Sequence, residues 1–345
     1  MELSLCNVGK FIVANLVVDH GIGTVQRKAM VMGSRRAAVA AVVVTYNRKR
    51  LLSENIIALK KQTYPGKLDI IIIDNASTDG TGDMVREMCD TGSIYPQRCI
   101  VYENTGKNLG GAGGFQYGIR WAVKHGYEYL WLMDDDCVPE ADALDSFLQA
   151  DEKLPVPYGW LSSQVRWRDG SICAMNVQRR TMIYNADDWE THLVPCVMAS
   201  FVSLFLRAEV VRKVGLPIKE FFIWTDDWEY TRRISLKYPC YLVNTSRVVH
   251  KSAVNIPASL ADDVPERLPR YRYLYRNDVY LYRREGLRGF CYEVVRLFVH
   301  IVRVLLKSRD RKVERIGILL SGTWAGMGFH PAIEFLDSSG EATHA

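Results

Sequence analysis

A short apolar run, Tyr129-Leu130-Trp131-Leu132-Met133, passes directly into three carboxylates, Asp134-Asp135-Asp136. Apolar runs of this length suit a strand buried on both faces. Such a strand needs cover above and below, which points to a layered α/β architecture. Three adjacent acids repel one another unless a cation neutralises them, and carboxylate oxygens are the ligands that Mg²⁺ and Mn²⁺ prefer. An acidic, solvated helix start is the other reading of such a triplet. Its place at the C-terminal end of a predicted central strand, where α/β sheets put ligands, favours the metal.

The preceding chain supplies the rest of that sheet. Strands are predicted over 37–46, 68–73 and 99–103, with helices over 51–62, 81–89 and from the 104–114 loop to about residue 124. Strands alternating with helices specify a parallel sheet with right-handed crossovers. The polar loops at 45–48, 74–80 and 134–136 then share one sheet edge. Beyond residue 150 the pattern changes. Strands are expected at 159–165, 170–174, 197–206, 241–243 and 247–250, with helices at 209–214 and up to 238. The prolines of 251–269 mark a loop, and helices follow at 271–284 and within 292–306. Residues 1–36 are the least readable; Phe11 to Val18 could be a strand or a short helix.

Several stretches carry chemistry. The loop Asp74-Asn75-Ala76-Ser77-Thr78-Asp79-Gly80 offers acceptors to a base or sugar, although Asn, Ser and Thr there also make turns. Asn108-Leu109-Gly110-Gly111-Ala112-Gly113-Gly114 opens a helix, and its glycines would allow a ligand close to the backbone. It is neither a dinucleotide fingerprint nor a phosphate-binding loop ending in Lys-Ser/Thr. Trp224-Thr225-Asp226-Asp227-Trp228-Glu229-Tyr230 places acids beside indoles that can stack on sugars. His250 ends a short strand and is a candidate metal ligand. The eight cysteines form no CxxC pair and fit a reducing compartment.

Four of these motifs, in this order, resemble family 2 inverting glycosyltransferases of the GT-A fold: Val43 to Arg48, Asp74 to Gly80, Asn108 to Phe115, and Asp134 to Asp136. With Trp224 to Tyr230 and His250, the resemblance is closest to bacterial galactofuranosyltransferases, with rhamnosyltransferases nearby. It covers about residues 38–285. It implies an α/β GT-A fold: a mostly parallel central sheet flanked by helices, with a C-terminal helical extension. By resemblance, Thr45, Asn47, Arg48, Asp74 and Asp79 border the nucleotide, and Asn108, Gly110 and Gly111 the donor sugar and diphosphate. Asp134, Asp136 and His250 would hold Mn²⁺ or Mg²⁺, and Asp135 would face the donor. Asp227 matches the base, with Asp226 and Glu229 assisting it or binding acceptor. Trp224 is one residue out of the family register, so Trp228 is the second candidate for the acceptor platform.

The expected donor is UDP-galactofuranose and the acceptor a hydroxyl of a lipid-linked cell-surface glycan. A dTDP-rhamnose enzyme is the alternative within the class. A nucleotidyltransferase would want a Gly-rich, basic loop after the first strand, where this chain has Thr45-Tyr46-Asn47. A non-catalytic sugar-binding module would not need these acids. The net charge of +5 is mild, but Lys and Arg crowd the C-terminus. Arg288, Arg296, Arg303, Lys307, Arg309, Arg311, Lys312 and Arg315 alternate with apolar residues there, a signature of a membrane surface rather than of nucleic acid. No apolar run is long enough for a confident span, and the N-terminus is a poor signal peptide. The expectation is therefore a peripheral protein on the cytoplasmic face of the plasma membrane. Its parts would be an extension over 1–36, a glycosyltransferase domain over 37–255 and a basic helical region over 256–345. Oligomeric state is not legible.

Overall fold

The computed structural model describes residues 38–90, 97–337 and 342–344. The extension and its Phe11–Val18 stretch lie outside the described residues. Four parallel strands, β1 (Val39–Thr45), β2 (Leu68–Asp74), β3 (Ile100–Asn104) and β4 (Tyr129–Asp134), lie in the order β3-β2-β1-β4. Every residue of β1 and β2 is buried, as an apolar run covered on both faces requires. The crossovers are α1 (Lys49–Lys60), α2 (Thr81–Asp90) and α3 (Gly110–Lys124). The order reverses between β1 and β4, so a crevice opens where Thr45 and Asp134 end adjacent strands.

Helix α3 reaches β1 closely because it carries glycines on that face. A Cβ at Gly114 would stand 2.5 Å from Val44 Cγ1, and one at Gly118 2.4 Å from Val42 Cγ1. Apolar clusters then fill both sides of the sheet, one around Ile119 and Leu132, the other around Ile56, Trp131 and Phe147.

Beyond β4 the sheet becomes mixed. It gains β5 (Cys137–Pro139), β6 (Leu161–Arg166), β7 (Leu193–Pro195), β8 (Leu204–Arg207) and β9 (Tyr241–His250). Strand β8 runs antiparallel to β4, and β9 antiparallel to β5. The two strands expected over 241–250 are one strand, with a register shift against β6 where the break is predicted. The strand expected at 170–174 is an isolated bridge, Arg166 to Ile172. The one expected at 197–206 is interrupted by a 3₁₀ turn, Phe201–Ser203. Helices α4 (Ala143–Lys153), α5 (Ala208–Val214) and α6 (Asp226–Ser235) complete this half, with α6 three residues shorter than expected.

The C-terminal region holds α7 (Tyr271–Arg283), α8 (Gly286–Lys307) and α9 (Lys312–Met327), followed by a hairpin of β10 (Glu334–Leu336) and β11 (Ala342–His344). Among the described residues no helix is long and apolar enough to cross a membrane.

Candidate active site

The triplet sits where the topology predicts ligands, and it is braced from three directions. Thr45, ending β1, donates its hydroxyl to Asp135 Oδ2 at 2.7 Å. Arg48 donates from Nη1 to Asp135 Oδ1 at 3.1 Å and to Asp136 Oδ2 at 2.9 Å. The β5–β9 pairing sets Cys137 opposite His250 and so brings that histidine beside Asp136. Its Nε2 lies 3.1 Å from Asp136 Oδ1.

Two features fit a divalent cation here. Asp136 Oδ1 is buried with His250 Nε2 beside it, so its lone pairs are open to a cation whenever that nitrogen carries no hydrogen. His250 Nδ1 faces Asn176 Oδ1 at 2.8 Å; that oxygen accepts, so Nδ1 carries the hydrogen and Nε2 is aimed at the acids. The compact donor set contains Asp136, Cys137 and His250, within 4.8 Å of one another. Cys137 thus takes the place that the resemblance gives to Asp134. Burial, then Asp136 and Asp134, push the Cys137 thiol well above its usual range. A protonated sulfur is a poor ligand for a hard cation, so oxygen donors from Asp136 and its neighbour Asp134 suit Mn²⁺ or Mg²⁺ better.

The charges divide accordingly. Burial raises Asp134 to about 7, with Asp136 adding to the effect. Burial also raises Asp135, to about 6, against the pull of Arg48. Asp136 goes the other way: burial opposes its charge, but His250 and Arg48 outweigh it. Burial alone would depress His250, yet the bond to Asp136 carries it up to about 10. A proton on His250 occupies the position that a cation would compete for.

Asp226 and Asp227 begin α6, where the helix dipole favours negative charge. They are reached through an unusual strap. Phe222, Trp224 and Thr225 all have positive φ, at 64°, 64° and 66°. Such backbone costs on the order of 1–3 kcal/mol per residue and persists only where surroundings dictate it. Here α7 dictates it. The fully buried Asn277 donates from Nδ2 to the carbonyls of Phe221 (3.0 Å), Ile223 (3.2 Å) and Trp224 (2.9 Å). Thr225 Oγ1 donates to Asp278 Oδ1 at 2.6 Å, and Arg296 of α8 pairs with Asp278 Oδ2 at 2.7 Å.

The strap also meets the Gly-rich loop. A Cβ on Gly110, whose φ is +71°, would fall 2.1 Å from Phe222 O, and Ala112 N donates to that carbonyl at 3.2 Å. Three glycines of the motif therefore meet protein: Gly110 the strap, Gly113 the Leu109 side chain and Gly114 the sheet. Gly111 alone among them faces open space. Asn108 caps the loop, accepting from Gly110 N at 2.8 Å.

Asp227 is pushed well above the usual carboxylate range by burial and then by Asp226, with Asp134 a further contributor. Burial raises Asp226 to about 6. Among the described residues, no basic side chain ranks among the groups that shift either one. The sequence-predicted neighbours divide into two sets. Glu229 is buried and bound bidentate to Arg233 at 2.9 Å, so its charge is spent inside α6. One face of Trp228 is covered by the Arg179 guanidinium, 3.6 Å from the ring centroid, and Trp224 leans on Tyr271 at 4.8 Å. Asp74 is fully buried: Oδ1 accepts from Ser77 N at 2.8 Å and Oδ2 from Tyr102 OH at 2.6 Å. Asn47 and Asp79 tie the first two loops together, Asn47 Oδ1 accepting from Thr78 N and Asp79 Oδ2 from Lys49 N.

The structure thus gathers Thr45, Arg48, Asp134, Asp135, Asp136 and His250 in one network. Asn176, Arg179, Asn277 and Asp278 escape sequence reasoning. The only signal for the last two is a polar pair inside the aromatic helix Tyr271 to Tyr282.

Comparison with known proteins agrees with this architecture. Residues 40–203 match the family model described as glycosyl transferase family 2. The chain is 29% identical over 273 residues to the galactofuranosyltransferase GlfT1 of Mycobacterium tuberculosis, covering 73% of this chain and 84% of that protein. It is 31% identical over 113 residues to an undecaprenyl-phosphate mannosyltransferase of Micrococcus luteus, covering 32% of this chain and 43% of that one. Among solved structures it is similar to a mannosyltransferase from Pyrobaculum calidifontis in complex with GDP-Man and Mn²⁺. The TM-score is 0.51 at 19% identity, over 86% of this chain and 76% of that one. Topology, motif order and family match converge: residues 40–203 are a glycosyl transferase family 2 domain, carried on a GT-A fold.

Proposed function

We propose that the protein transfers galactofuranose from UDP-galactofuranose to a hydroxyl of a lipid-linked glycan, with inversion at the anomeric carbon. The observation that carries the mechanism is the division of the carboxylates into two clusters, one paired with Arg48 and His250, the other without an ion-pair partner among the described residues. The similarity to GlfT1 supports the choice of sugar.

In this reading Asp134, Asp136 and His250 hold a divalent cation, which when bound offsets charge on the diphosphate leaving group. The nucleotide lies against Thr45, Asn47, Arg48, Asp74 and Asp79. Asn108, Gly110 and Gly111 border the sugar and diphosphate, and Asp135, fixed by Thr45 and Arg48, faces the donor. Asp227 takes the proton from the acceptor hydroxyl as that oxygen attacks the anomeric carbon opposite the nucleotide. Its raised proton affinity suits a base working near neutral pH. Asp226 maintains that affinity through its adjacent charge. Trp224 and Trp228 line the acceptor side. No covalent enzyme intermediate is needed. The work is done at the inner face of the plasma membrane, where the lipid-linked acceptor lies, by a glycosyltransferase domain over 37–255 and a membrane-associating region over 256–345.

A panel of UDP-galactofuranose, dTDP-rhamnose and GDP-mannose, each with and without Mn²⁺ and scored by nucleotide release, tests the proposal. Release from UDP-galactofuranose alone, and only with metal, is expected. Turnover confined to dTDP-rhamnose would reassign the donor.

A further inference from the structure

Helix α8 is apolar on two sides: Val304, Leu297 and Ile301 pack on the domain, and a second apolar row faces away from it. Leu287, Phe290, Val294, Phe298 and Leu305 stand at spacings that place them on one stripe, and all are exposed, Leu287 at 78% and Phe298 at 67%. Its opposite face carries Glu293, Arg296 and His300, and these turn inward. Arg296 pairs with Asp278 and, at 2.8 Å, with Glu293; His300 Nδ1 lies 3.0 Å from Tyr275 OH. A helix docked on a water-soluble domain turns its apolar side in and a polar side out, and α8 lacks the polar outer side. Ordinary surfaces expose apolar residues singly, not as a stripe along a 22-residue helix.

The surrounding charge identifies what covers the stripe. The only acid of α8, Glu293, is buried. Arg288, Arg303 and Lys307, with Arg309 and Lys312 just beyond, are exposed. A second copy of this face would bring cations against cations. An anionic bilayer offers hydrocarbon for the stripe and negative head groups for its margins. The helix is too polar on its inner face to cross the bilayer, and no described helix qualifies as a span.

We propose that α8 lies flat in the interface of an anionic membrane, its Leu287–Leu305 stripe among the acyl chains and its exposed cations at the head groups. The proposal deepens the reading of a lipid-linked acceptor and rests on that reading only for its purpose. It also revises the expectation of a basic amphipathic segment whose cations, from Arg288 to Arg315, meet the membrane surface. Arg296 faces α7, and the nearly fully buried Arg315 of α9 donates to the carbonyls of Leu260 (2.6 Å) and Asp263 (3.0 Å), so neither meets lipid. The docked helix is then two contacts from the strap: Arg296 holds Asp278, and Asp278 holds Thr225 at the start of α6.

The test is co-sedimentation of the full chain with phosphatidylcholine vesicles, with and without phosphatidylglycerol, beside sedimentation velocity without lipid. Wild type is expected to bind the anionic vesicles, and Phe298→Glu/Leu305→Glu to weaken binding by about tenfold or more with an unchanged unfolding midpoint. Lys307→Glu/Arg303→Glu, which leaves the stripe intact, is expected to weaken binding to the anionic vesicles specifically. Failure of wild type to bind, or equal binding by the stripe variant, would overturn the proposal. So would a dimer that the stripe variant dissociates, which would assign the face to a second copy. Vesicle binding does not read turnover, so it stands or falls separately from the donor assignment.

Discussion

The two acidic clusters face the same chemistry with opposite surroundings. Asp134-Asp135-Asp136 is braced by Arg48, Thr45 and His250, so much of its charge is compensated within the protein. Asp226-Asp227 is shifted by no basic side chain among the described residues, and burial keeps its affinity for protons high. Compensated carboxylates beside a histidine whose proton a metal can displace are suited to a cation. An uncompensated carboxylate is suited to accept a proton. The difference comes from local architecture. The triplet ends a sheet strand whose neighbours deliver basic side chains, whereas the pair hangs on a strap that delivers only backbone.

The substitution expected to have the largest effect is Asp227→Asn, which removes the proposed base and preserves the shape. Transfer should fall by about 10²–10⁴-fold. Stability should move the other way. A carboxyl whose folded pKa is raised contributes stability below its unfolded value and loses it as pH rises through the folded one. The amide escapes that loss, so the variant should unfold at a higher temperature than wild type at pH 7, measured by calorimetry. A variant that is less stable there would show that Asp227 is compensated after all.

Next in size is Asn277→Ala. It removes the amide that ties three strap carbonyls together and should let Asp227 drift from the acceptor. A kcat lower by about 10–10²-fold, with UDP affinity by titration calorimetry little changed, is expected. Equal losses in both would mean that the strap serves the donor loop through Gly110 instead. The smallest effect belongs to Asp226→Asn. Removing the charge beside Asp227 should shift the acid limb of the kcat/KM profile to lower pH, because less repulsion means easier ionisation. An unmoved limb would assign it to another group.

The parallel half was legible in the chain because strands buried on both faces read as apolar runs, and β1 to β4 appear within a residue or two of their expected bounds. The mixed half was less so. Strand β7 has three residues, too few for any periodicity, and β8 follows a 3₁₀ turn inside an equally apolar stretch. The glycines of 110–114 announced close approach, but not to what; Phe222 O, more than a hundred residues away, is invisible to local pattern. Helix α8 was recognisable as amphipathic and basic. Only packing reveals that Arg296 points in and Phe298 out. Asn277 gave almost no signal, since its role lies in three carbonyls that depend on tertiary placement.

The central claim is that one cluster takes the cation and the other the proton. Titration calorimetry with Mn²⁺, on wild type, Asp136→Asn and Asp227→Asn, tests it most directly. The account predicts that Asp136→Asn weakens Mn²⁺ binding by about a hundredfold, while Asp227→Asn binds Mn²⁺ as wild type does yet fails to transfer. Undiminished Mn²⁺ affinity in Asp136→Asn, or its loss in Asp227→Asn, would contradict it.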